Sequence, residues 1–173
     1  MQIIYSESIS KIKKNKKLLE KELNVKLSFT GKNGVVEGNA VAEYLTIKII
    51  EAMNLGFTAK EALLLKDEHF LFEIISIKDH TKRRDLERIR GRLIGTKGKT
   101  KNQLQELSNC FVSIHDSKIG IIGEIKDMEI ARQAVISLIK GSKESQIFGF
   151  LEREKAKEKN LTSEQDLGLR EKE

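Results

Sequence analysis

Laid over itself so that Gly38 meets Gly123, the chain also brings Gly56 onto Gly141, with a segment of helical period between each pair. This internal repeat constrains the fold more than any other feature, because similar patterns in the same order specify similar elements. In the second copy Met128, Ala131, Val135, Leu138 and Ile139 fall at i, i+3, i+7, i+10 and i+11, one apolar stripe. In the first, Ala42, Leu45, Ile49 and Ala52 predict the same stripe. Two short β-rich runs precede each stripe, residues 25–29 and 34–37 in one copy and 110–115 and 118–122 in the other, and predict a hairpin-like pair of strands. Upstream come an opening strand (2–6 and 70–78) and a basic helical segment, 8–23 in the first copy and 85–107 in the second, where glycines break it. The order strand, helix, helix, strand, strand, helix suits a small α+β domain. The expectation is two such units, residues 1–56 and 70–151, packed together through a connecting helical segment at 57–69 that carries Ala59, Ala62, Leu63 and Leu65. Residues 152–173 are rich in Glu, Lys and Arg and predict a charged C-terminal helix or tail, frayed or disordered, with no role in a core.

Charge is concentrated. From Lys78 to Lys101 there are ten Lys or Arg against three Asp or Glu, a local balance of +7 in a chain whose net charge is +6. Such focusing favours a polyanionic partner, nucleic acid above all. No apolar run approaches the length of a membrane span, so no membrane partner is expected. The opening residues, Met1 to Ser6, lack the pattern of an export signal, which points to the cytoplasm. The single cysteine, Cys110, excludes an internal disulfide and most Cys-based metal sites, and its apolar neighbours predict a buried structural thiol. His69, His80 and His115 are scattered without zinc spacing, and no Ser or Asp stands in a nucleophile-elbow or kinase context. Paired carboxylates such as Glu20 and Glu22, or Asp127 and Glu129, read as helix-surface charges. No catalytic set, metal or cofactor is expected, and seven Phe and two Tyr are too few for base-stacking platforms.

Within the basic segment lies Ile94-Gly95-Thr96-Lys97-Gly98-Lys99. A loop that holds a phosphodiester close needs residues without Cβ, which Gly95 and Gly98 supply. The helix predicted from Lys99 to Asn109 turns its N-terminal amides and the positive end of its dipole toward that loop. Arg88, Arg90 and Arg92 add cations before the turn, Lys97, Lys99 and Lys101 within or after it, while Leu86, Ile89 and Leu93 bury the opposite face of the preceding helix. Gly98-Lys99-Thr100 has the ending of a Walker A motif, but that motif requires glycine at position 93, which is Leu.

The hexapeptide resembles the Ile-Gly-x-x-Gly signature of K-homology (KH) domains, whose loop joins two helices and clamps single-stranded RNA or DNA. More narrowly, the run from Lys82-Arg83-Arg84 to Lys99-Thr100, the hairpin 111–123 and the ending Leu138-Ile139-Lys140-Gly141 resemble the archaeal branch of the Partner-of-Nob-One family. The resemblance spans residues 1 to about 155, is strong over 70–151 and weak before Gly31. It implies two tandem type I KH domains of order βααββα, the first degenerate. The offset of the repeat carries the loop onto Ser10-Lys11-Ile12-Lys13, which has no glycine, although Lys11, Lys13, Lys14, Lys16 and Lys17 leave the region basic. It further implies binding of single-stranded rRNA near the 3′ end of 16S rRNA, assistance to a Nob-One-type processing endonuclease, and an initiation-factor alpha subunit as a further partner. The RNA-binding residues so implied are Arg88, Arg90, Gly91, Arg92, Ile94, Gly95, Thr96, Lys97, Gly98, Lys99, Thr100, Lys101, Val112 and Ile114, with Leu104 in an aliphatic floor and the edge of strand 112–114 reading bases. A KH-based protein scaffold, or a KH regulator acting on mRNA or DNA, remains an alternative.

Overall fold

The computed structural model describes residues 2–5, 9–31, 33–82 and 84–170, with side chains placed from residue 9 to residue 161 of these; Ser6, Ser8, Arg83 and 171–173, which fall in predicted elements or motifs, lie outside the described residues. The first unit comprises β1 (Gln2–Tyr5), α1 (Ile9–Lys14), α2 (Lys16–Leu23), β2 (Lys26–Thr30), β3 (Asn33–Glu37) and α3 (Ala40–Asn54). A short helix, α4 (Ala59–Leu63), leads to the second: β4 (Phe70–Ser76), α5 (Leu86–Ile94), α6 (Lys99–Ser108), β5 (Phe111–His115), β6 (Lys118–Glu124) and α7 (Ile125–Lys140), followed by α8 (Glu144–Arg170). Each unit holds an antiparallel three-stranded sheet, in the orders β1-β3-β2 and β4-β6-β5.

The repeat holds at the level of single residues. Helices α2 and α6 both end on an asparagine in the left-handed region, Asn24 (φ 52°) and Asn109 (φ 53°). A Cβ on Gly38 would come 2.9 Å from Val25 Cγ1, and one on Gly123 would strike Cys110 Sγ, so each hairpin needs its glycine against the same neighbour. The α7 stripe is buried throughout, as predicted. The α3 stripe is buried only in its second half: Ile49 and Ala52 are fully buried, Ala42 and Leu45 half-buried, and the buried face also runs through Glu43, Thr46, Ile50 and Met53, the counterparts of Met128, Ala131, Val135 and Leu138. Polar residues are tolerated there because they are satisfied. Thr46 Oγ1 donates to the Ala42 carbonyl (2.6 Å), and Glu43 Oε1 accepts from the Gly38 N–H (3.1 Å).

The copies differ where the loop stands. The connection between the first two strands covers 6–25 in the first unit and the much longer stretch 77–110 in the second. Helices α1 and α2 meet at Asn15 alone, and Ser10 to Lys13 lie within α1, with Ile12 fully buried. The first copy has thus replaced the loop with helix.

Core placement also differs. In β6 every residue from Ile119 to Gly123 is buried. Ile119 and Ile121 join Ile75, Val112 and the helices of the second unit in one cluster, whereas Ile122 joins Leu55, Phe57 and the first unit's core in the other. The second sheet is therefore covered on both faces, which is why β6 reads as an almost unbroken apolar run instead of an alternating one. The joint is close. Gly120 lies against the Phe57 ring, Ser113 Oγ donates to the Leu55 carbonyl (2.7 Å), and Phe57 meets Phe72 edge to face with centroids 6.2 Å apart. Full burial of each isoleucine contributes about 1.5–3 kcal/mol.

The segment expected to be frayed or disordered from Glu152 continues α8 as helix to Arg170. Ile147, Phe148 and Leu151 bury its first turns, and beyond them Lys155 Nζ donates to the Glu106 carbonyl (2.6 Å) and Glu158 pairs with Lys126 (2.6 Å). Helix-favouring Glu, Lys and Arg in a chain without proline propagate the turn. From residue 152 to 161 no residue is buried. Among the described residues no helix is long and apolar enough to cross a membrane.

A Cβ at position 120 would sit 2.7 Å from Phe57 Cε2 and 3.2 Å from Leu55 Cδ1, so Gly120→Val is expected to lower stability by about 1–3 kcal/mol in guanidinium unfolding. Combining it with Phe57→Leu should cost less than the sum of the two single changes. Cys110, 2 % exposed, has its thiol pushed up to about 12 by burial and then by the nearby Asp127 charge. Since the thiolate is the nucleophile, iodoacetamide at pH 8 should label Cys110 only after unfolding, as mass spectrometry would record.

Candidate nucleic-acid interface

Helix α5 is capped by Asp85, whose carboxylate accepts from the Arg88 N–H (3.0 Å), and it ends at Gly95 (φ 74°, ψ 173°). The chain then turns through Thr96 and Lys97 to Gly98 (φ 77°), from which α6 starts with no side-chain cap. The two glycines have different reasons. A Cβ on Gly95 would collide with Thr100, at its backbone nitrogen (2.7 Å) and side chain, so Gly95 is required by packing inside the loop. A Cβ on Gly98 would find only Asn102 Nδ2, at 3.9 Å, so Gly98 serves the positive φ and leaves open space above the loop. Lys97 holds a left-handed φ of 53°, an uncommon conformation for a residue other than glycine. Its side chain is exposed, and α6 begins beside it without a side-chain cap, so the positive end of that helix faces the loop.

The predicted cations do not form one field. Arg88 and Arg92 stand on the α7 side of α5, lining a cleft of ≈ 880 Å³ with Arg84, Leu138 and Ile139, and Arg92 Nη2 donates to the Ser142 carbonyl. Arg92 is thereby held in place just past the C-terminus of α7. Arg90, two residues away and so across the helix, lines a smaller cleft with Lys78 and Asp116 and lies 4.0 Å from the Asp116 carboxylate at the β5–β6 turn. Ile94, one turn on from Arg90, is half-buried beside the loop, and Gly91 is exposed with nothing within 4 Å of its missing Cβ. An exposed glycine inside a helix costs about 1 kcal/mol relative to alanine, so its open surface suits close approach of a ligand. Thr96, Lys97 and Lys99 are exposed or nearly so and Lys101 is half-exposed, and among the described residues none of these lysines has an acidic partner.

Three predicted contacts turn inward. Thr100 is buried, and its Oγ1 is 3.4 Å from Glu144 Oε2 on α8, so it anchors the loop to the helical layer and offers nothing to a ligand. Leu104 and Val112 belong to the core, their side chains 1 % and 2 % exposed, which leaves Ile94 and the half-buried Ile114 as apolar floor. Strand β5 is nevertheless an edge strand, the backbone groups of its outer side left unpaired by any strand. One is engaged: Gln105 Oε1 accepts from the Val112 N–H (2.8 Å). The first unit repeats this bond with a different acceptor, Glu20 Oε1 taking the Leu27 N–H (2.8 Å). Both pairs have the same separation along the chain and correspond under the repeat, a signal present in the sequence once the two copies are aligned. Among the described residues no group of three His, Cys, Asp or Glu side chains is placed to hold a metal ion.

Comparison with known proteins agrees with this geometry. A family model of the PNO1 second-domain class, described as eukaryotic-type KH domain (KH-domain type I), matches residues 71–156. The KH domain-containing protein MJ0443 of Methanocaldococcus jannaschii is 31% identical over 156 residues, covering 86% of this chain and 69% of that protein. The pre-rRNA-processing protein PNO1 of Phaeosphaeria nodorum is 36% identical over 105 residues, and this chain spans only 40% of its length. Among solved structures, the a/eIF2alpha-aDim2p-rRNA complex of Pyrococcus horikoshii OT3 contains a chain that is similar at 27% identity with a TM-score of 0.79, covering 90% of this chain and 94% of that one. With an intact glycine loop opening an uncapped helix, on a fold and a sequence shared with these proteins, the chain belongs to the PNO1 family of KH-domain proteins.

Proposed function

We propose that this protein is a single-stranded RNA-binding factor of ribosome biogenesis that acts without chemistry of its own. The observation that carries this is the Gly98 turn: open space above the backbone, three lysines without acidic partners among the described residues, and the start of α6 without a side-chain cap beside it. Relatives named for pre-rRNA processing and for an rRNA complex support the same reading. The finer assignment is to 16S rRNA near its 3′ end, with Gly91, Gly95, Thr96, Lys97, Gly98 and Lys99 at the phosphates and Arg90, Ile94 and the β5 edge nearer the bases. The two units are read as tandem KH domains, residues 1–56 and 70–151, the first having lost its loop and serving as a support. A Nob-One-type endonuclease and an initiation-factor alpha subunit are the protein partners of this reading, the latter supported by the a/eIF2alpha chain in the Pyrococcus complex.

Because a Cβ at position 95 strikes Thr100 whereas one at 98 meets open space, Gly98→Asp is the cleaner test. It is expected to abolish binding of single-stranded RNA in an anisotropy titration while lowering stability by about 1 kcal/mol, whereas Gly95→Asp should lose binding and stability together. Unchanged affinity in folded Gly98→Asp would remove the loop from the interface. Affinity should also fall with salt, and Lys97→Ala should make the slope of log K against log salt shallower by about 0.7, the share of one phosphate on a single strand. Crosslinking in native extract should then place the protein at the 3′ end of 16S rRNA; reads spread over many transcripts would keep the RNA-binding role and discard the ribosomal one.

A further inference from the structure

We propose that residue 105 decides whether the groove between α6 and β5 accepts RNA, and that its counterpart Glu20 closes the corresponding groove of the first unit. This rests on the reading of the second unit as the RNA-binding one. In both units the residue on the second helix reaches the first outward amide of the edge strand, Gln105 to Val112 and Glu20 to Leu27, each at 2.8 Å. The surroundings are matched, with Leu19 and Leu104 buried behind and Asn24 and Asn109 ending the helices. What differs is the chemistry left over after that bond is made.

The amide N–H requires an acceptor, so Gln105 must present its oxygen to Val112. Its Nε2 is then left with two donors, and among the described residues it has no hydrogen-bond partner. A neutral group with donors free suits an edge from which base oxygens and ring nitrogens are read. Glu20 satisfies Leu27 equally well but has only acceptors and carries a negative charge, and its one cation among the described residues, Lys16 at 3.7 Å on the same helix, lies 40% exposed and weakly coupled. A carboxylate there repels phosphates and cannot donate to a base. A carboxylate therefore stands at the first unit's edge strand although α1 and α2 are rich in lysine, and the first unit's basic surface does not amount to a second RNA site.

The test uses the full chain and a fluorescein-labelled single-stranded RNA of randomised sequence, comparing wild type, Gly98→Asp, Gln105→Glu and Gln105→Met by anisotropy and guanidinium unfolding. Gln105→Glu is expected to weaken binding by about tenfold to a hundredfold, as for introducing an unpaired charge at a desolvated contact, with its unfolding midpoint unchanged because Glu20 shows that a carboxylate satisfies the same amide. Gln105→Met removes the donors and the Val112 acceptor without adding a charge, so it should lose less affinity than Gln105→Glu, by the share that repulsion contributes, while its unfolding midpoint falls. Binding by Gln105→Glu within twofold of wild type, an equal loss in Gln105→Met, or a shifted midpoint in Gln105→Glu would each overturn the proposal. If wild type binds and Gly98→Asp weakens it while Gln105→Glu does not, this proposal alone falls; if wild type does not bind the pool, the RNA reading falls with it.

Discussion

The central sheet of the second unit is buried on both faces, and the placement of everything else follows from that constraint. One face holds Ile75, Val112, Ile119 and Ile121 against α5 to α8; the other presses Gly120 and Ile122 onto Leu55 and Phe57. The second face of this sheet is apolar as well, so the first unit contributes by removing that face from water. The close approach of Phe57 to Gly120 holds the two units together, while the edge of β5 and the glycine loop lie outside that joint.

At the loop, the physical problem is to hold a phosphate chain near the backbone while keeping the turn defined. Two glycines divide the labour. Gly95 lets Thr100 pack underneath, and Thr100 in turn reaches Glu144 on α8, so the loop rests on the helical layer. Gly98 keeps the upper surface clear. Rigidity below and openness above reduce the ordering cost that a flexible loop would meet on binding. α8 therefore matters to the interface although it does not enter it.

The first unit keeps the order of elements without the glycine loop. Its shorter connection between the first two strands merges the loop into α1, and Ile12 becomes core. The helix caps, the glycine contacts behind the hairpin and the amide bond from the second helix to the edge strand persist, because these hold the scaffold together. What has changed includes the loop, the core positions 43 and 46, and the acceptor of that amide bond, a carboxylate at position 20 and a carboxamide at 105.

Much of this was legible in the chain. The repeat, the order of elements, the buried α7 stripe and the glycine loop depend on local pattern, since backbone geometry at Gly95 and Gly98 and helical periodicity are properties of short segments. The first half of the α3 stripe was misplaced, while Ile49 and Ala52 are buried as expected, because the buried face there carries Glu43 and Thr46, polar residues whose partners, Gly38 and Ala42, become visible only with the fold, although the alignment with Met128 and Ala131 already pointed there. The tail from Glu152 was read by composition, while its helix is held where Lys155 meets Glu106 and Glu158 meets Lys126, both distant along the chain. Likewise, sequence placed Arg88, Arg90 and Arg92 together as basic residues, and the helical turn from each residue to the next set Arg90 apart from the other two. What the sequence alone determined was the kind of elements, their repetition and the presence of a phosphate-shaped turn; which side chains meet a ligand, and which turn inward as Thr100, Leu104 and Val112 do, was decided by packing between elements far apart in the chain.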